Sequence, residues 1–371
     1  MTGPRPRILM LGDSLALGGT EGQFVEIVRG LDRSRWDVDV SCLRAEGPLR
    51  AKLDAAGVRA WSCGCGSFRS PRVLLAAWGL ARQLRAHRVR LVHAFDFYSN
   101  ILGVLAARAA RVPVVIASQR DLGDLRPAFQ QRLHRWVLAR ADHVLVNSEA
   151  VAARVRASRP RETQRIVMIP NGVDVARFRP GSTEQRSSPP VIVGTLANLR
   201  PEKGILDFVR AAALVREQCP EARFVVWGDG PLRADVERLA EGLGLRGAFE
   251  LRGRTTEPEV ALREVDVFVL ASVSEACSNV LLEAMATGPA VVATRVGGNP
   301  YLVDDEVTGL LAPPGDPAGL AKAIVRLIEE RSLAARLSAR ALARVRAEFS
   351  IDQMLGRVQA FYERALTGST A

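Results

Sequence analysis

Two glutamates and the residues between them carry the clearest chemistry in this chain. Residues 272–288 read S-V-S-E-A-C-S-N-V-L-L-E-A-M-A-T-G, so Glu275 and Glu283 stand eight positions apart with Ser278, Asn279 and Val280 between them. An apolar strand over 267–271 ends just before the first glutamate, and an apolar helix over 280–286 encloses the second. A helix start leaves backbone N–H groups without intrahelical partners and carries the positive end of the helix dipole, which suits a phosphate. One carboxylate ahead of that start and one a turn inside it can each accept hydrogen bonds from hydroxyls. A phosphate flanked by two hydroxyl acceptors matches a nucleotide sugar.

Further candidates lie where other strands should end. The run L-A-N-L-R-P-E-K-G-I holds Asn198, Arg200 and Lys203, and Lys203 is one of only three lysines, with Lys52 and Lys322. A compact ammonium at a helix start can contact a diphosphate, and Arg200 can serve as a second clamp. W-G-D-G-P-L-R contributes Gly228, and L-R-G-R contributes Gly253 and Arg254, in loops able to frame a nucleotide base; Gly-Asp-Gly is also a common turn. Near the start, L-G-D-S-L-A-L-G-G-T-E-G places Gly18 and Gly19 at a strand-to-helix turn. There the backbone can approach a phosphate, or simply turn tightly. The spacing is not G-x-G-x-x-G, which disfavours nicotinamide binding. His93 ends a strand in L-V-H-A-F-D and is expected to line the cleft, whereas His87 and His134, in Arg-rich helices, are expected at the surface.

Metal and disulfide chemistry are not expected. No His pair has ligand spacing, Asp37-Val38-Asp39 falls inside a strand as its solvent face, and the five cysteines lack C-x-x-C pairing. Cys277, inside the glutamate motif, reads as a small apolar filler.

The formal charge of +11 is uneven: residues 1–180 carry 29 Lys and Arg against 15 Asp and Glu, and residues 181–371 carry 22 against 25. A basic half serves nucleic acid, an anionic membrane surface or an anionic substrate. With 5% aromatic residues and neither a zinc finger nor an RNP-type cluster, nucleic acid is not expected. A membrane surface or lipid-linked acceptor fits better, against the plainer reading of an arginine-rich proteome. The first residues, M-T-G-P-R-P-R, lead into a strand without a signal-peptide core, and no run is long enough to cross a bilayer, which predicts a cytosolic protein.

To position such motifs, the chain must place several strand ends together. Strand and helix patterns alternate through both halves, predicting two doubly wound α/β domains of Rossmann type with motifs at the strand ends facing a cleft. The first spans 1–180 and is separated by a Ser- and Pro-rich linker at 181–190 from a second at 191–348. A last helix, 349–371, is expected to cross back to the first domain.

Taken together, these residues resemble the retaining glycosyltransferases of family 4, which share the two-Rossmann GT-B architecture. The resemblance runs along essentially the whole chain: G-G-T-E, V-N-S-E-A-V (146–151), I-P-N-G-V-D-V-A-R-F-R-P (169–180), P-E-K-G, G-D-G-P-L and the two-glutamate block. It implies that Lys203 binds the donor diphosphate, Glu283 the ribose hydroxyls and Glu275 the sugar hydroxyls. The N–H groups around Ser278, Asn279 and Val280 would hold the distal phosphate, which Gly19 approaches from the first domain. It further implies a hexose transferred from a nucleotide diphosphate sugar to a glycan or lipid-linked acceptor, with retention, without cofactor or metal, by front-face attack. Two positions depart from the family. Gln119, followed by Arg120, occupies the slot of a frequent histidine, and Asn198 replaces an arginine for which Arg200 can compensate. S-Q-R-D-L-G is similar to a segment of exopolysaccharide-cluster sugar transferases. Gln119 and Asn198 also motivate a rival reading, a nucleotide-sugar-binding protein without turnover. A pyridoxal-dependent phosphorylase would need a late Schiff-base lysine, for which Lys322 is a poor candidate.

Overall fold

Short runs of Val, Ile, Leu and Ala separated by helices are the sequence form of a parallel sheet buried on both faces, and the computed structural model contains two such sheets. It describes residues 5–64, 72–124, 126–158, 165–181 and 190–368. The chain divides into two units, Met1–Pro170 with Asp352–Ala371, and Asn171–Ile351. Residues 171–180, assigned by the sequence reading to the first domain, thus group with the second. Most of the expected linker, 182–189, and the stretch 65–71 lie outside the described residues.

The first unit holds strands β1 (Arg7–Ser14), β2 (Asp37–Arg44), β3 (Ala60–Ser62), β4 (Leu91–Ala94), β5 (Val114–Gln119), β6 (His143–Val146) and β7 (Ile166–Met168). Their order is β3-β2-β1-β4-β5-β6-β7 and every pairing is parallel. β3 was not anticipated, because three residues reading A-W-S show no apolar run. β1 runs on to Ser14, so Gly12 and Asp13 of the glycine-rich L-G-D-S run belong to the sheet and the turn begins beyond it. The direction of winding reverses between β1 and β4, the switch point at which open α/β sheets hold ligands outside their strand ends. From Asp352 onward the final helix, Ile351–Thr367, belongs to this unit. Its Tyr362 is fully buried, edge-on to Trp36 at 6.2 Å.

The second unit holds β8 (Ile192–Leu196), β9 (Arg223–Trp227), β10 (Phe249–Gly253), β11 (Val267–Leu270), β12 (Ala290–Thr294) and β13 (Leu310–Ala312), in the order β10-β9-β8-β11-β12-β13, all parallel. Here the winding reverses between β8 and β11. The helix Ile205–Gln218 buries Ile205, Phe208, Val209, Ala212 and Val215 at helical spacing, with Phe208 edge-on to Phe224 of β9 at 6.2 Å. Each of these Ile, Phe and Val side chains contributes about 1.5–3 kcal/mol when fully buried. The long helix Arg331–Glu348 adds Leu333, Leu337, Ala341 and Val345 on one stripe. A bridge from Val173 to Ser350, with Val173 N–H donating to Phe349 O at 2.8 Å, ties together the two places where the chain passes between units.

Among the described residues no helix is long and apolar enough to cross a membrane.

Candidate functional site

The second unit brings its two leading candidates into contact at its switch point. Lys203 comes from a single 3-10 turn, Pro201–Lys203, after β8; Glu275 comes from the loop after β11. The Lys203 Nζ donates to Glu275 Oε1 at 2.5 Å, and Ser272 Oγ donates to the same oxygen at 2.9 Å. The Glu275 side chain is 9% exposed and that of Lys203 26%, so the pair sits at a rim open to a ligand on the lysine side. Asn198 and Arg200 are exposed in the same β8 loop; Gly228 follows β9, Gly253 ends β10 and Arg254 follows it. All these candidates therefore occupy the carboxyl end of one sheet, where sequence patterning places them.

Close backbone contacts add to these side-chain bonds in holding the loops in place. Gly204 has φ 61° and caps the lysine turn; a Cβ there would lie 1.9 Å from Ala271 O, at the end of β11. Val273 N–H donates to Glu202 O at 2.9 Å across the same seam. Gly228 has φ 149°, a Cβ there would lie 1.8 Å from Ala197 O, and its N–H donates to Gly253 O at 2.7 Å. The β8, β9 and β10 loops are thus stacked on one another's backbones, an approach only glycine allows.

The helix Asn279–Thr287 starts beside Glu275. Ser278 caps it, its hydroxyl accepting from Leu281 N–H at 3.3 Å, and Gly288 closes it in the left-handed region at φ 97°. Asn279 and Val280 supply the first-turn N–H groups, and half-buried Glu283 lies one turn in. Cys277 is buried at 8% exposure, the filler its context predicts. Asn171, 4% exposed, donates from Nδ2 to Cys277 O at 3.1 Å and to Asn279 Oδ1 at 2.5 Å. It pins the loop from outside the two-glutamate block. Its signal was present in I-P-N-G-V-D, but nothing in the sequence says which loop that asparagine reaches.

The remaining candidates collect in the first unit. Gly18 precedes the helix Gly19–Gly30 with extended backbone, and a Cβ on it would lie 2.2 Å from Glu21 Oε2. The protein's own carboxylate therefore lies at the helix start where the glycines alone would invite a phosphate. Gln119 ends β5 and donates from Nε2 to Asp121 O at 3.2 Å; Arg120, 8% exposed, lies over the Phe95 ring at 4.6 Å.

Two histidine expectations are corrected. His93 does not line an open cleft: it has no exposed surface, Nδ1 is bonded to Tyr362 Oη at 2.5 Å and Nε2 to Ser118 Oγ at 2.7 Å. Burial, and then the Arg120 charge, push its pKa down to about 3. A neutral imidazole with both nitrogens engaged is a structural bridge from β4 to the final helix, not an acid or base. His134 is likewise buried, not at the surface. Its Nε2 is 3.1 Å from Asn100 Nδ2, and burial followed by the Arg126 charge takes it to about 3.

At this unit's switch point, sequence reading missed two carboxyls. Asp13, at the end of β1, accepts from Ser99 N–H at 2.6 Å and Tyr98 N–H at 3.3 Å; Asp96, after β4, caps the next helix through Phe97 N–H at 2.7 Å. Burial, then the Asp13 charge, push Asp96 up to about 7, and burial likewise raises Asp13. Burial together with a neighbouring like charge lets the pair retain a proton near neutral pH. The signal was an acidic residue at the end of one strand flanking the reversal, Asp13 in β1, and another just past the other, Asp96 after β4.

Comparison with known proteins agrees with this architecture. A 4-like glycosyl transferase domain matches residues 18–172, and the family of glycosyl transferases group 1 matches residues 190–330. The 2-deoxystreptamine glucosyltransferase of Streptomyces kanamyceticus is 30% identical over 97% of this chain and 98% of its own. The Escherichia coli UDP-Gal:alpha-D-GlcNAc-diphosphoundecaprenol alpha-1,3-galactosyltransferase is 25% identical over 85% and 86%. In fold, Anabaena HepE in complex with UDP superimposes with a TM-score of 0.84 at 22% identity, over 96% of this chain and 99% of that one. With two parallel α/β units, motifs at their strand ends and matches along most of its length, the chain belongs to the GT-B glycosyltransferases of group 1, with a 4-like first domain.

Proposed function

We propose that this glycosyltransferase moves a hexose from a nucleotide diphosphate sugar to a glycan or lipid-linked acceptor, retaining anomeric configuration and needing no divalent metal. The observation that carries the reading is the Lys203–Glu275 contact at the second unit's switch point, beside the start of the helix Asn279–Thr287. Lys203 and the first-turn N–H groups of Asn279 and Val280 receive the donor's phosphates, with Arg200 as a further clamp. Glu275 then accepts from sugar hydroxyls and Glu283 from ribose. Fixed positive charge and a helix start stabilise the leaving diphosphate as it forms, the task a metal performs elsewhere. That environment favours departure before attack, and the departing phosphate takes the acceptor's proton on the same face, which yields retention.

The names of relatives support the acceptor class: one transfers galactose to a diphosphoundecaprenol-linked sugar. The donor class is supported by a fold neighbour solved with UDP-glucose, at 22% identity. The test is the anomeric configuration of the product, read by NMR from reactions with and without a chelator. Retained configuration with turnover unaffected by chelator is expected; an inverted product or abolished turnover overturns the mechanism. Donor hydrolysis that is absent in both wild type and Glu275→Ala would leave a binding protein instead.

A further inference from the structure

The first unit exposes apolar side chains that neither its core nor the donor chemistry uses. On the helix Arg72–Ala86, Leu74, Leu75 and Trp78 are 71%, 70% and 59% exposed; on the helix Ala128–Leu138, Phe129, Leu133 and Trp136 are 62%, 38% and 46% exposed. Leu74, Trp78 and Arg82 follow one another at four-residue intervals, as do Phe129 and Leu133, with Trp136 and Arg140 continuing the second stripe. The two helices pack on either side of the largely buried helix Phe97–Ala110. Their crests therefore run along one side of the sheet, about 20 Å apart at roughly two interhelix spacings.

Charge selects the occupant. Neither helix contains an aspartate or glutamate. The Arg82 guanidinium lies 5.0 Å from the Trp78 ring centre and that of Arg140 3.5 Å from the Trp136 ring centre, and Arg132 and Arg135 are exposed on the second helix. An indole beneath an arginine, beside exposed leucine and phenylalanine, matches the boundary of a bilayer: rings enter the headgroup layer and guanidinium groups meet phosphates. Two separated crests suit a flat lipid surface better than one peptide laid in a groove.

We propose that these two helices dock the first unit onto an anionic lipid surface. This deepens the lipid-linked acceptor reading above, since such an acceptor is reached from the surface that holds its lipid.

The test is co-sedimentation of the full chain with phosphatidylglycerol–phosphatidylcholine vesicles and with pure phosphatidylcholine vesicles. Donor hydrolysis is measured on the same samples, so that loss of docking and loss of transferase chemistry are read separately. Wild type is expected to bind the anionic vesicles at 0.1 M salt and to be released at 0.5 M. The Trp78→Ala/Trp136→Ala and Arg132→Gln/Arg135→Gln variants are expected to bind at least tenfold more weakly, with unchanged donor hydrolysis and melting temperature. Wild type remaining in the supernatant, equal binding to neutral vesicles, or unchanged binding by both variants overturns the proposal. So does a concentration-dependent dimer, lost in the tryptophan variant, in a chain that ignores vesicles; the face would then belong to a second copy.

Discussion

Replacing Gly204 by alanine should cut turnover by at least about 10²-fold while leaving the fold intact. Two separable effects act at this position. The left-handed conformation at φ 61° costs a residue with a Cβ about 1–2 kcal/mol. Independently, the new Cβ would lie 1.9 Å from Ala271 O, where Cβ atoms essentially require 3.0 Å, so the seam must open by about 1.1 Å. That seam joins the loops that carry Lys203 and Glu275, now 2.5 Å apart. A misplacement of about 1 Å can cost on the order of 10²-fold in rate. We expect kcat for sugar transfer to fall at least 10²-fold, with a melting temperature within a few degrees of wild type. Gly204→Asn separates the two effects: asparagine tolerates the left-handed region but brings the same Cβ, so it should be no better than alanine. Gly242→Ala, with nothing within 4 Å of the new atom, is the control. A Gly204→Ala protein that keeps more than a third of wild-type kcat, or a Gly204→Asn protein that restores it, would show that the seam does not set the Lys203–Glu275 geometry.

Three further outcomes follow from the same geometry. Asn171→Ala removes both bonds to the Cys277–Asn279 loop and leaves a buried carbonyl without that donor, a loss of about 1–3 kcal/mol; calorimetry should show donor affinity falling about tenfold or more, and unchanged affinity would refute the pin. Glu275→Gln should lower kcat by at least about 10²-fold, yet leave affinity for the nucleoside diphosphate unchanged or tighter, because the lysine no longer has a carboxylate partner; weaker diphosphate binding would contradict this assignment. Asp96, with its folded pKa raised to about 7, contributes stability that is complete below its unfolded value near 4 and is lost as pH rises through 7; the melting temperature of wild type relative to Asp96→Asn should therefore fall between pH 5 and 8, and a pH-independent difference would show that the carboxyl pair does not share a proton.

The sequence carried more of the second unit than of the first. There, the leading candidates sit at the ends of strands whose apolar character is legible, as in V-F-V-L before Glu275. The structure adds what depends on distance: that Gly204 lies against Ala271, and that Asn171 reaches Cys277. In the first unit, periodicity misled. His93 sits at a strand end and reads as a cleft residue, but the final helix, more than 250 positions later, covers it with Tyr362. His134 lies among arginines yet points inward, because its own helix turns Trp136 and Leu133 outward. At Gly18 the structure adds the Glu21 carboxylate beside the turn. Tertiary cover of this kind leaves no local pattern.

The central claim is that Lys203 holds the donor's diphosphate at the second unit's switch point. Its direct measurement is isothermal calorimetry of wild type and Lys203→Ala with the nucleoside diphosphate that gives the largest thermal shift in a panel. Removing a charge-assisted contact worth about 1.5–3 kcal/mol should weaken binding roughly 10- to 100-fold at an unchanged melting temperature. Equal affinity in the two proteins would contradict the account.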